Sequence, residues 1–151
     1  MQAGIMSELS VNAPNHIAVP ADMTSATWNA VGTHEVFQVT GMVRVRTWVE
    51  CTAIHSSHDT ATLQVGFESE TTAMLGTTVA TYFAPGFWID RDLTGVYAAS
   101  STCMIDRMSW GGDIGYEIGV EAILSGTLIF HCVWEPLSAG ATVVAGAGGP
   151  L

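Results

Sequence analysis

Three side chains that can bind a divalent metal lie close together in the sequence. His55, His58 and Asp59 form the pattern His-Xaa-Xaa-His-Asp, and imidazole with carboxylate is a common ligand set for zinc and similar ions. The two serines between the histidines are typical of a turn, where Ser and Asp side chains hydrogen-bond backbone amides for structural reasons. We therefore predict no metal site here, and a small metal-dependent enzyme, which would depend on these residues alone, is our third functional hypothesis.

Other residues with catalytic potential lack the arrangement that catalysis requires. His131 and Cys132 are adjacent, and adjacent residues of a strand point to opposite faces, so this imidazole cannot serve this thiol as a base. Acids that could form the carboxylate pair of a glycoside hydrolase occur where turns are predicted. These acids are Asp90, Asp92, Asp106 and Asp113. We predict no catalytic and no cofactor-binding residues, and we expect a protein that is not an enzyme.

Charge is unusually scarce in this chain. The 151 residues include no lysine and only 12% charged residues, and fourteen acids against four arginines give a formal net charge of −10. Soluble domains usually contain about 25% charged residues, so we expect part of the surface to be covered by a protein partner. The few scattered cations exclude direct binding to nucleic acid. No apolar run approaches the roughly 20 residues of a membrane-spanning helix, so no membrane association is expected.

The cysteines and one tryptophan are predicted to lie inside the fold. The cysteines are odd in number and widely spaced, which favours reduced, buried thiols over a disulfide framework or a zinc site. They are Cys51, Cys103 and Cys132. Trp134 continues the apolar face of the last long strand and is expected to anchor the core.

Alternation of apolar and polar residues with a period of two predicts mainly strands after residue 23. The clearest predicted strands are residues 43–53, 62–67, 114–124 and 127–134. Ser125 and Gly126 are typical of a two-residue turn, which predicts a hairpin between the last two strands. Residues 69–77 could form a helix, or a loop with the start of a strand. Seven or eight strands with short connections favour an all-β, two-layer β-sandwich or jelly roll.

Composition divides the chain into three parts. Residues 1–22 are apolar but interrupted by prolines, which predicts an extended interaction arm that contributes little to the core. A short helix from Ser7 is the alternative for this segment. Residues 23–137 contain the predicted β-sandwich domain. Residues 138–151 are rich in Gly and Ala and are expected to form a C-terminal tail that builds no core.

Large aromatic side chains near predicted turns are candidate interface anchors. Trp88 follows the predicted turn Pro85-Gly86, and Trp110 precedes two glycines. Trp48 lies on the more polar face of its predicted strand. The alternative is that such residues fill the ends of the sandwich core.

Several segments resemble small virion proteins of tailed bacteriophages. The segments are residues 41–52, 61–67, 113–119 and 131–137. The resemblance covers residues 30–138 and is one of overall pattern. It implies a capsid decoration or cement protein, β-rich and commonly trimeric, that sits over junctions between major capsid subunits, and it carries no catalytic residue.

Two functional hypotheses follow besides the metal-dependent enzyme. The first is a structural virion protein, made in the bacterial host cytoplasm, that bridges neighbouring major capsid subunits as a homotrimer on the capsid surface. The alternative is a phage tail or fibre component that binds a host receptor or carbohydrate. In that case Trp88 or Trp110 would stack on sugar rings in a cleft edged by acids such as Asp90.

Overall fold

The computed structural model of the chain describes residues 15–53, 60–80, 86–88 and 107–151. These residues form strands in two antiparallel sheets and one short helix, which confirms the prediction of an all-β fold. The elements are β1 (His16–Asp22), α1 (Ala26–Asn29), β2 (Gly32–Thr40), β3 (Met42–Ala53), β4 (Thr62–Phe67), β5 (Glu70–Val79), β6 (Gly86–Trp88), β7 (Arg107–Trp110), β8 (Ile114–Gly119), β9 (Thr127–Pro136) and β10 (Thr142–Ala145).

Each sheet has five strands that are mostly distant in sequence. The front sheet has the order β1-β9-β3-β6, and β7 also pairs with β3. Strand β9 occupies one edge of β3 along its length, so β7 and β6 share the other edge, β7 near the start of β3 and β6 near its end. The back sheet has the order β10-β2-β8-β4-β5. Strand β5 occupies most of the segment for which a helix was one prediction.

The core lies between the two sheets. Odd-numbered residues of β3 and even-numbered residues of β9 point into it, as the alternation predicted. The ring of Tyr116 on the back sheet stacks on Phe130 of the front sheet, with centroids 4.9 Å apart and planes within 4°. Trp134 is partly buried and packs against the core. The front-sheet core residues on these strands are Val43, Val45, Val49, Cys51, Leu128, Phe130 and Cys132.

The predicted hairpin through Ser125 and Gly126 is wrong. Strand β8 ends at Gly119 and pairs with β2 and β4, whereas β9 pairs with β1 and β3 in the other sheet. The intervening residues 120–126 therefore cross from one sheet to the other. Alternating side chains fit either sheet equally well, so the pattern could not show that this turn changes sheets.

The second half of the predicted arm is part of the front sheet. Strand β1 pairs with β9 from His16 to Asp22, and Val19 and Ala21 are buried in the core. The expectation that residues 1–22 contribute little to the core is therefore wrong for these residues. Residues 1–14 lie outside the described part of the chain.

Pro20 fits within β1 because this strand is an edge. The N–H of Trp134 donates to the carbonyl of Asn15, and the N–H of Met23 donates to the carbonyl of Gly126. In an antiparallel pair every second residue forms backbone hydrogen bonds to the partner strand. These two bonds show that the odd-numbered residues of β1 bond to β9, so the nitrogen of Pro20 faces the open edge of the sheet. A missing N–H costs no ladder bond there.

The C-terminal segment also joins the fold, contrary to expectation. Strand β10 pairs with β2 at the edge of the back sheet, and Ala141 and Val143 are buried in the core. Beyond it, Gly148 has a φ of 76° and lies so close to Trp28 that a Cβ would meet the indole at 3.0 Å. The small Gly and Ala residues of this segment allow its backbone to pack closely against the fold. The same Gly and Ala content led to the prediction of a tail.

Candidate interaction surfaces

Most of the residues that the sequence analysis considered for metal binding, catalysis or interface contacts lie outside the described residues. This holds for His55, His58 and Asp59. It also holds for Asp90, Asp92, Asp106, Cys103 and the side chain of Trp88. Asp113 has a structural role, because its carboxylate accepts a 2.7 Å hydrogen bond from the N–H of Val39.

The described residues contain no group of three or more His, Cys, Asp or Glu side chains placed to hold a metal ion. Within the same ranges, no helix has the length and apolar character needed to cross a membrane. Cys51 and Cys132 are free thiols buried in the core, which confirms the prediction for these two. Burial raises the pKa of the Cys132 thiol to about 12, so this thiol stays protonated and is a poor nucleophile.

An apolar surface, here called the Trp110 patch, lies at one end of the molecule. Trp110 and Met108 project from the same side of β7 and are 81% and 71% exposed. Strand pairing places Met42 opposite Trp110, and the N–H of Leu137 donates to the carbonyl of Met42, so the exposed Leu137 extends the patch. Large apolar side chains clustered in this way are typical of a binding surface.

A second apolar surface, the Val120 patch, contains three exposed side chains. Val120 follows β8 and is 73% exposed, Leu124 lies in the same connection, and Val31 precedes β2. Since Gly32 pairs with Ile118, Val31 lies opposite the start of the Val120 turn. Val120 has a φ of 70° and is the one non-glycine residue with positive φ among those described. For a β-branched residue this conformation is strained by roughly 1–3 kcal/mol.

The two patches lie at opposite ends of the molecule. Trp110 comes just before β8, and Val120 comes directly after it. Strand β8 has six residues and therefore spans about 20 Å. One copy of this fold can thus present apolar contacts in two directions at once.

The outward face of the front sheet holds an aromatic cluster that the sequence did not reveal. The cluster consists of His16 on β1, Trp48 on β3 and His131 on β9, with Glu50 beside it. The three rings lie within 9° of parallel, with centroids 4.9 to 5.9 Å apart. Trp48 points away from the core, as its position on the polar face predicted, yet it is only 7% exposed.

Hydrogen bonds connect the polar members of this cluster in a chain. His16 Nε2 lies 3.1 Å from His131 Nδ1, and His131 Nε2 lies 3.0 Å from Glu50 Oε2. These partners assign the protons: His131 donates from Nε2 to the carboxylate, and its Nδ1 accepts from the Nε2–H of His16. Burial and the neighbouring His131 lower the pKa of His16. His16 and His131 were interpreted as isolated histidines, because no local signal links residues that are 115 positions apart.

The outward face of the back sheet is polar instead. Gln64 donates to Glu117 at 2.7 Å and to Thr71 at 2.6 Å, and Thr77 donates to Gln64 at 2.5 Å. Such a satisfied polar network is typical of a face in contact with water. The two faces of the molecule therefore differ in character.

A third histidine, His34, joins separate parts of the back sheet. Its ring is buried and stacks on Tyr116 with centroids 4.8 Å apart. Its Nδ1 lies 2.9 Å from the carbonyl oxygen of Thr27 and 3.3 Å from that of Gly148, and its Nε2 lies 2.8 Å from that of Ala30. Carbonyl oxygens only accept, so the ring bonds to them through a nitrogen that carries a proton.

The three described arginines are engaged within the molecule. Arg44 forms an ion pair with Glu135, Arg107 donates to the carbonyl of Ala73 at 3.2 Å, and Arg46 also has an interaction within the structure. Acids such as Glu68 and Glu70 remain exposed. The described surface is therefore predominantly negative.

Comparison with known proteins assigns no function to these surfaces. No protein-family model matches the chain, and neither a curated protein nor a solved structure is significantly similar to it.

Proposed function

We propose that this chain is a structural virion protein of a tailed bacteriophage, made in the host cytoplasm, that binds the outer capsid surface and bridges neighbouring major capsid subunits. The observation that carries the proposal is the pair of apolar patches at opposite ends of the fold. A protein that bridges two neighbours needs two separate contact surfaces, and the Trp110 and Val120 patches supply them.

The two packed sheets between the patches are suited to resist mechanical stress. The two sheets are joined by a shared core that includes the Tyr116–Phe130 stack, and the C-terminal segment fastens the edge of β2 through β10. Packed interiors of this kind transmit force with little deformation. This property supports a role as a cement between subunits that are under pressure from a packaged genome.

Backbone strain at Val120 supports the same role. An exposed valine in a left-handed conformation costs stability and gains no core packing in return. Strained residues of this kind cluster at binding sites, where the surrounding structure holds a side chain in the orientation that a partner requires. We infer that the Val120 side chain is held outward for contact with a neighbouring subunit.

Strand order supports a jelly roll as the finer description of the fold. Adjacent strands in the front sheet run β1-β9-β3-β6 and those in the back sheet run β2-β8-β4-β5, so successive strands mostly alternate between sheets. Two four-stranded sheets connected in this way have jelly-roll connectivity, with β10 as an added edge strand of the back sheet and β7 as an added strand beside β3 in the front sheet. Jelly rolls are common in viral capsid and lectin domains, an analogy of fold that is compatible with both functional hypotheses.

Particles that lack the protein test the proposal directly. Purified chain is added to such particles, and bound copies are counted against the major capsid protein after sedimentation. We expect Trp110→Ser and Val120→Gly each to lower the affinity by about five- to thirtyfold, since exposed anchors of this size contribute on the order of 1–2 kcal/mol each. Val120→Gly also relieves the positive φ, so loss of folding does not explain its effect.

The matched control is Val144→Ser, which removes an exposed valine of β10 from outside both patches. It is expected to bind as the unmodified chain does. Unchanged binding of both patch variants, or failure of the unmodified chain to bind, contradicts the proposal.

A phage tail or fibre component that binds a host carbohydrate is the second candidate. The 81% exposure of Trp110 beside two glycines favours it, because an accessible indole face can stack on a sugar ring. This function predicts that host-surface glycans change the fluorescence of Trp110 and that Val120→Gly leaves glycan binding intact. Binding to capsids that needs both patches favours the first candidate instead.

A further inference from the structure

The geometry of the His16–His131 contact leaves room for one proton between the rings. The ring centroids are 5.3 Å apart and the facing nitrogens are 3.1 Å apart. The difference between these two distances matches the sum of the distances from each ring centre to its facing nitrogen. Both nitrogens therefore lie on the line that joins the ring centres, with the planes within 9° of parallel. A ring nitrogen points its proton or lone pair radially outward, so the two nitrogens face each other directly.

The pair accepts one excess proton without losing this hydrogen bond. In the neutral pair, His131 donates to Glu50 and His16 donates to His131. One excess proton can go to His131 Nδ1, on the ring that donates to Glu50; His16 then carries its own proton on Nδ1 and accepts at Nε2, and the contact becomes a charge-assisted hydrogen bond. A second excess proton must go to His16 Nε2, which brings two N–H groups into direct opposition 3.1 Å apart.

We propose that the His16–His131 pair is an acid-sensitive latch, which holds β1 on β9 while one proton lies between the rings and releases β1 when both facing nitrogens are protonated. Opening of the latch affects only the pairing of β1, because β1 is an edge strand that pairs with β9 and with no other described strand. Releasing β1 therefore leaves the remaining ladders of both sheets intact.

The charged groups around the rings set the direction of the response. On the outward face of β3, Glu50 stabilises the first positive charge on the histidine pair. Arg46 and His16 both pair with Val133, from opposite sides of β9, so the positive charge of Arg46 disfavours a second positive charge on the pair. The Arg44–Glu135 pair lies further along the same face. A fifth charged group, Asp22, lies at the far end of β1 and accepts hydrogen bonds from Thr24.

The sign of the pH dependence follows from the lowered pKa of His16. In the released strand this imidazole returns to its ordinary value of about 6.5, so the released state binds more protons. Docking of β1 is then fully favoured above about pH 6.5 and weakens as the pH falls below that value.

Amide hydrogen exchange measured by NMR on the full chain tests the latch. The N–H groups of Ile17, Val19 and Ala21 bond to β9 and report on β1, and the amides of β8 serve as an internal reference. Between about pH 7.5 and about pH 5, we expect the protection factors of β1 to fall at least about tenfold while those of β8 hold.

The variant His16→Gln distinguishes the latch from other titrating groups. Its amide can still donate to His131 Nδ1 but cannot become charged, so the fall in β1 protection is expected to disappear. His34 and the carboxylates are present in both proteins and cancel in the comparison. An equal fall in His16→Gln, or no fall in the unmodified chain, overturns the proposal.

The imidazole signals of the unmodified chain give a second measurement that needs no variant. The latch requires the titration step of the His16 imidazole to coincide with the loss of β1 protection. A His16 step that leaves β1 protected also overturns it.

Discussion

At the scale of single residues, histidine chemistry differs most between the sequence and the folded molecule. His34, His16 and His131 give no local signal, yet the fold gives each ring specific partners. His34 is fixed by three backbone carbonyls and the Tyr116 ring, whereas the other two rings share a proton on the outward face of the front sheet. The same residue type therefore joins elements in one place and responds to acid in another.

The contribution of His34 can be measured by replacing it with phenylalanine. His34→Phe keeps a ring against Tyr116 but leaves the carbonyls of Thr27 and Ala30 without their donor. Unpaired buried acceptors cost about 1–3 kcal/mol each, so we expect the free energy of unfolding to fall by roughly 2–5 kcal/mol in denaturant titrations. His34→Gln keeps one donor group and is expected to lose less; equal stability of the two variants contradicts this role.

At the scale of elements, both ends of the described chain form edge strands. Strand β1 adds Val19 and Ala21 to the core, and β10 adds Val143 and the preceding Ala141. Edge strands need hydrogen bonds on one side alone, which explains why segments rich in proline, glycine and alanine can occupy these positions. The core is therefore completed by segments whose composition is poor in typical strand residues.

Adjacent valines in β10 allow a matched test of its role. Val143 points into the core and is buried, whereas Val144 points outward and is 48% exposed. Val143→Ser is expected to lower the free energy of unfolding by about 1–3 kcal/mol, because it removes buried apolar surface and buries a hydroxyl. Val144→Ser is expected to change it by less than about 0.5 kcal/mol. Equal effects in thermal or denaturant unfolding would show that β10 is not packed as described.

At the scale of the whole molecule, scarce charge and two apolar patches support the proposal that the protein works in an assembly. Large apolar groups such as Trp110 and Val120 rarely cluster on the surface of a monomer. The predominantly negative surface of the described residues suits partners with positive groups.

We expect the isolated protein to form a closed oligomer, and a homotrimer is the specific prediction. Contacts through an apolar patch bury surface that a single chain leaves exposed, and closed symmetry limits their number. Sedimentation equilibrium at micromolar concentration measures the state, and Trp110→Ser and Val120→Gly show which patch is used. A stable monomer for the unmodified chain contradicts the prediction.

The sequence by itself determined the class of the fold and the faces of the central strands. Alternation is a local property, so β3, β4 and β9 could be located and their inward residues named. The tertiary structure alone decided that β8 and β9 lie in different sheets, that residues 16–22 and 142–145 complete the edges, and that His16 meets His131. Each of these depends on which strands pair, and pairing joins residues that are distant in the sequence, such as His16 and Val133, by backbone hydrogen bonds that carry no side-chain signature.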